Sequence, residues 1–86
     1  MSATILVVED EPQVQELVAV NLEHAGHRVL RASSAEEAEA AIRDELPDVL
    51  ILDWMLPGES GVSLARRLRG SERTQGLPIL MLTARA

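Results

Sequence analysis

The chain has 86 residues, 47% of them apolar, and a formal net charge of −6; that is one small domain at most. The acidic balance argues against nucleic acid or an anionic membrane as a direct partner of this segment. Lack of cysteine excludes disulfides and thiolate metal sites, and the early apolar run at residues 5–8 is too short for a signal peptide or a spanning helix, so a cytoplasmic protein is expected.

Residues 4–8 form a β-branched run that predicts a first strand, ending in acid at Glu9 and Asp10. Glu11 and Pro12 follow, and proline suits the first turn of a helix because its missing N–H costs nothing there. Val14, Leu17, Val18, Leu22 and Ala25 recur at helical spacing, and Gly26 is a natural stop. Residues 27–32 alternate loosely and predict a second, weaker strand. Ser34 with Glu37 fits a capping box, and Ala35, Ala38, Ala41 and Ile42 mark the inner side of a second helix. Leu46-Pro47 ends it, since the residue before a proline avoids the α region. Residues 48–53 predict a third strand that is apolar until it stops at Asp53. Pro57, Gly58 and Gly61 make a loop, Ser60 is placed to cap a third helix with Leu64, Ala65 and Leu68 inward, and Gly70 stops it. Leu77-Pro78 leads into a fourth strand at 79–82, with Thr83 and Ala84 at its tip.

The order β-α-β-α-β-α-β implies an α/β fold with a parallel sheet and helices on its faces. Strands that are apolar on both faces support parallel pairing. With no Phe or Tyr in the chain, the core must be aliphatic. In open parallel sheets the binding crevice lies beyond the carboxyl ends of the strands. Here those ends carry Glu9 and Asp10, Asp53, and Thr83. Crowded carboxylates raise one another's pKa values unless a cation neutralises them. All eight basic residues are arginine and none is lysine, so a metal is the natural counter-ion. All-oxygen ligation favours Mg²⁺, which leaves room for water and phosphate. A carboxylate beside such an ion can serve as a phosphoryl acceptor.

Three segments, ILVVEDE at 5–11, LILDWMLPGESG at 50–61 and PILMLTAR at 78–85, carry a resemblance. In this order and on these strand tips they resemble the receiver domain of two-component response regulators, nearest to the phosphate-regulon and winged-helix-output subfamily. The resemblance covers the whole chain. It implies a doubly wound, flavodoxin-like fold, and it implies that Asp53 accepts phosphate from a sensor histidine kinase to control a transcription-regulating output domain. It further implies Mg²⁺ bound by Asp10, Asp53 and the backbone carbonyl of Met55, with Glu9 reaching the ion through water. Thr83 would turn its hydroxyl toward the phosphoryl group, and Trp54 would report metal binding by fluorescence.

The chain departs from the family pattern after the fourth strand. The family's fifth strand, its lysine and its switch aromatic have no counterpart, nor do the last two helices. A single truncated receiver, residues 1–86 without an output domain, is therefore expected. Phosphorylation should be impaired, β-edge and helix-facing surfaces should be left open, and self-association should follow.

Simpler accounts stand beside these. Asp53 could be a strand-end turn former, residues 9–11 a solvated acidic helix start, and Thr83 an ordinary strand residue. His24 and His27 read as surface residues, and Arg66, Arg67 and Arg69 as a solvated face. An aspartate-nucleophile phosphatase would need a second Asp two residues after Asp53, where Met55 stands. A nucleotide-binding loop is absent. A non-phosphorylated association module remains the other function to weigh.

Overall fold

The computed structural model describes residues 2–82. Four strands and three helices follow in the order β1 (Thr4–Val8), α1 (Pro12–His24), β2 (Arg28–Ala32), α2 (Ala35–Asp44), β3 (Val49–Asp53), α3 (Gly61–Arg69) and β4 (Ile79–Leu82). The strands form one sheet of order β2-β1-β3-β4, every neighbouring pair parallel. The two central strands are thus the two that carry the acidic tips. The expected site strands, β1, β3 and β4, lie side by side.

The sheet's two faces follow from the alternation of side chains along each strand. Leu6, Val8, Leu50 and Leu52 point to one face and are fully buried in a cluster with Ala35, Ala38 and Ile42 of α2 and Leu64 and Leu68 of α3. Ile5 and Val7 point to the other face and are also buried. There α1 lies against β1 and β2. Helices on both faces make the fold doubly wound, as expected.

Local signals set the helix ends. Pro12 opens α1. The Ser34 hydroxyl accepts the Glu37 N–H at 3.1 Å, and the Ser60 hydroxyl accepts the Ser63 N–H at 3.1 Å. The Glu37 carboxylate returns to the N–H of Ser33 at 2.8 Å, one residue earlier than a strict capping box places it. Past α1, Gly26 takes a left-handed φ of +95°, which only glycine adopts without strain.

Coverage by α1 is narrower than its sequence suggests. Only Ala19 of that helix is fully buried, and Leu17 is 64% exposed. Without a last helix, poor cover is expected over β1 and β3; the thin cover lies over β3 and β4, where Leu80, in register with half-buried Ile51, is 59% exposed, whereas Ile5 and Val7 of β1 are covered. Among the described residues the outer edge of β4 pairs with no further strand. His27 is a further correction. It is half-buried rather than a free surface residue, and its Nδ1 accepts the Ala3 N–H at 3.0 Å, pinning the start of β1. The expected solvated arginine face also does more than meet water. Arg67 grips the Glu59 carboxylate with two nitrogens, Nε at 2.7 Å, and reaches Glu39 of α2 with a third. Arg69 donates to the carbonyl of Leu77 at 2.6 Å.

Candidate functional site

Strand β1 delivers Glu9 and Asp10, and strand β3 delivers Asp53, to the same rim of the sheet because the two strands are parallel neighbours in register. Glu9 and Asp53 are buried, 1% and 2% exposed, and Asp10 is partly so. Carboxylate oxygens of the three lie within 4.8 Å of one another. The predicted acidic cluster is therefore assembled from residues more than forty positions apart.

The chain around the cluster is tied down by its own backbone. Glu9 Oε2 accepts the Glu11 N–H at 3.0 Å, and Asp53 Oδ1 accepts the Met55 N–H at 3.0 Å. Gln15 of α1, which sequence reasoning passed over, spans the tips of β1 and β2. Its side-chain amide donates to the carbonyls of Glu9 at 2.9 Å and Ala32 at 3.0 Å. A glutamine one turn into a helix carries no distinguishing signal in the sequence alone. Gly61, at the start of α3, donates its N–H to the Trp54 carbonyl at 3.0 Å and closes the β3–α3 loop.

The electrostatics are unfavourable as the residues stand. Glu9 Oε1 and Asp10 Oδ1 are buried with no hydrogen-bond partner. As carboxylates they offer only acceptors to each other, and an unpaired buried charge is costly. Burial first, and then the neighbouring Asp53 and Asp10 carboxylates, push the Glu9 pKa up to about 7 against the opposing Glu11 N–H. A group that must either hold a proton or find a cation is what a divalent metal site presents before loading. The donor set is all oxygen and fits a hard cation such as Mg²⁺. An open groove beside the cluster is lined by Asp10, Trp54, Met55, Pro57, Ser60 and Val62. Trp54 and Met55 are each nearly half exposed on it. Thr83 lies outside the described residues.

The model of the response regulator receiver domain matches residues 5–86. The chain belongs to that family. It is 52% identical over 82 residues to the phosphate regulon transcriptional regulatory protein PhoB of Pseudomonas aeruginosa, a match covering 95% of this chain and 36% of that protein. The PhoB of Escherichia coli is 40% identical over 85 residues, covering 99% of this chain and 37% of that protein. The receiver thus spans little more than a third of the length of these curated relatives. Among solved structures, the N-terminal domain of a response regulator receiver protein from Methanoculleus marisnigri superposes with a TM-score of 0.92 at 36% identity, covering 96% of this chain and 68% of that one. This is a receiver of the two-component type, similar to PhoB-like transcriptional regulators, and its family is a regulatory rather than a catalytic one. Among the described residues, no helix is long and apolar enough to cross a membrane.

Proposed function

We propose that this receiver takes a phosphoryl group onto Asp53 from a phosphohistidine of a sensor histidine kinase and thereby controls a transcription-regulating output domain. Asp10, Asp53 and the backbone carbonyl of Met55 would hold Mg²⁺, with Glu9 reaching it through water. The observation that carries this reading is the convergence of three carboxylates at one rim with two buried oxygens lacking any donor. Bound there, Mg²⁺ would neutralise charge on the carboxylates and on the incoming phosphoryl group.

The chain's own residues supply the rest. The Met55 N–H fixes Asp53 Oδ1 and so orients the carboxylate. Its other oxygen is left to attack phosphorus. The new P–O bond forms as the P–N bond breaks, and the electron pair of that bond returns to the imidazole of the donor. Thr83 would donate its hydroxyl to a phosphoryl oxygen, a role that rests on the family resemblance. None of the 86 residues is lysine, so within these residues the charge on the transferred phosphoryl is left to the metal to neutralise. A net charge of −6 speaks against direct nucleic-acid or membrane contact by this segment.

Incubation with a small-molecule phosphodonor and Mg²⁺, read by intact mass, tests the proposal. The expected result is one phosphoryl group on the wild type and none on Asp53→Ala. No adduct at any donor concentration would overturn it in favour of an association module. That second reading draws on the exposed Leu80, Met81 and Leu17 and on the outer edge of β4.

A further inference from the structure

The rim at Asp53 is not the molecule's only cleft with concentrated charge. A second cavity, of about 290 Å³, opens between the C-terminal parts of α2 and α3 and the loop that leads to β4. Its walls carry Arg43, Arg73, the hydroxyl-bearing Ser71 and one carboxylate, Glu39, which is paired with Arg67, and buried Ile42, Leu68 and Thr74 line it more deeply. Arg67 also borders it, but that guanidinium is occupied by Glu59 and Glu39.

Two features set this cleft apart from a solvated surface. The chain as a whole is acidic by six charges, yet among the described residues Arg43, Arg66, Arg69 and Arg73 form no ion pair, and of these four only Arg43 and Arg73 line this cleft. Arg43, in the last turn of α2, also offsets that helix's dipole. Arg73 lies beyond the end of α3 and has no such role. The wall that carries Arg73 is held firmly. The Thr74 hydroxyl donates to the Leu68 carbonyl at 2.6 Å in the interior, the Thr74 N–H donates to Ser71 O at 3.1 Å, and Leu77 N–H donates to Thr74 O at 3.0 Å. With the loop backbone fixed, the ordering cost of binding is confined to the arginine side chains themselves.

We propose that this cleft binds an oxyanion, a phosphate or carboxylate group, between the guanidinium forks of Arg43 and Arg73. Planar guanidinium groups match such oxygens two at a time. The volume, at the lower end of the roughly 300–1,000 Å³ typical of ligand pockets, suits a small anion or a single acidic side group rather than a nucleotide. The site shares no lining residue with the Asp53 groove and does not depend on the proposed phosphorylation.

The test is a backbone amide chemical-shift titration of the full chain with inorganic phosphate and, separately, with succinate. Ionic strength is held constant with chloride, and Mg²⁺ is omitted so that the acidic rim recruits no phosphate. Saturable shifts at Ser71 and Thr74 are expected, weakened about tenfold in Arg43→Gln or Arg73→Gln, as loss of one charge-assisted pair predicts. Saturation by phosphate alone would identify a phosphoryl ligand, and saturation by succinate alone a carboxylate. Shifts that stay linear with both anions, or that saturate equally in both variants, would overturn the proposal. Both arginines are exposed, so the variants should retain the wild-type spectrum elsewhere.

Discussion

Gly61→Ala should destabilise the fold by about 3 kcal/mol, at the upper end of what overpacking costs. A Cβ at this position would meet the Asp53 carbonyl oxygen at 2.2 Å, Trp54 Cα at 2.7 Å and the Asp53 carbonyl carbon at 2.9 Å. All three are backbone atoms, so no rotamer change relieves the clash. The displaced segment is the tip of β3 itself. The same variant should therefore also lose affinity for divalent cations, even under conditions where it remains folded. Gly70→Ala is the control. Its nearest contacts are 3.6 and 3.7 Å away and its φ of −85° suits any residue, so it should change stability by no more than about 1 kcal/mol. Urea denaturation of both variants reads the difference; equal midpoints would show that the β3–α3 junction yields more readily than its contacts allow.

The second large effect is a pH dependence set by Glu9. Its folded-state pKa of about 7 stands above the ordinary 4.5. The native state therefore binds a proton that the unfolded chain releases between those values, and stability falls as pH rises through that window. Without metal, the loss by pH 8 should be about 3 kcal/mol relative to pH 4. Glu9→Gln keeps the neutral, hydrogen-bonding form at every pH, so it should become more stable than wild type as pH rises from 4.5 to 8. Saturating Mg²⁺ should narrow that gap by giving the ionised carboxylates a counter-charge. Urea midpoints of the two proteins across this range, with and without Mg²⁺, are the measurement. A constant difference at all pH values would mean that Glu9 is not held protonated in the metal-free fold.

Much of this was legible in the residues. The strands at 4–8, 28–32, 49–53 and 79–82 stand out because short β-branched and leucine runs are bounded by Gly, Pro and acidic residues. The acidic cluster followed from one topological rule, that parallel strands share a rim, and from three short motifs in order. Periodicity was less informative about α1. It marked an apolar stripe through Val14, Leu17, Val18 and Leu22, but a stripe does not say what covers it. In the fold α1 packs chiefly against β1 and β2, and Leu17 faces outward. Long-range polar contacts were not legible either. The Gln15 clamp, the Ala3–His27 bond and the Arg67 fork each join residues whose proximity exists only once the sheet has formed. The depth of Glu9 belongs to the same class. The sequence puts Glu9 at the acidic tip of β1 but does not say how deep it lies; in the fold it is 1% exposed.

The role proposed for Asp53 requires Glu9, Asp10 and Asp53 to act together as the seat of one divalent ion. Trp54, the chain's single tryptophan, borders the groove beside them and supplies the readout. A fluorescence titration with Mg²⁺ at pH 8 should saturate as a single site in the wild type. The response should weaken at least about tenfold in Asp10→Asn and in Asp53→Asn, as removal of one direct carboxylate ligand predicts. A wild-type signal that never saturates, or one that both variants reproduce unchanged, would contradict the shared metal seat and the phosphoacceptor role proposed for Asp53.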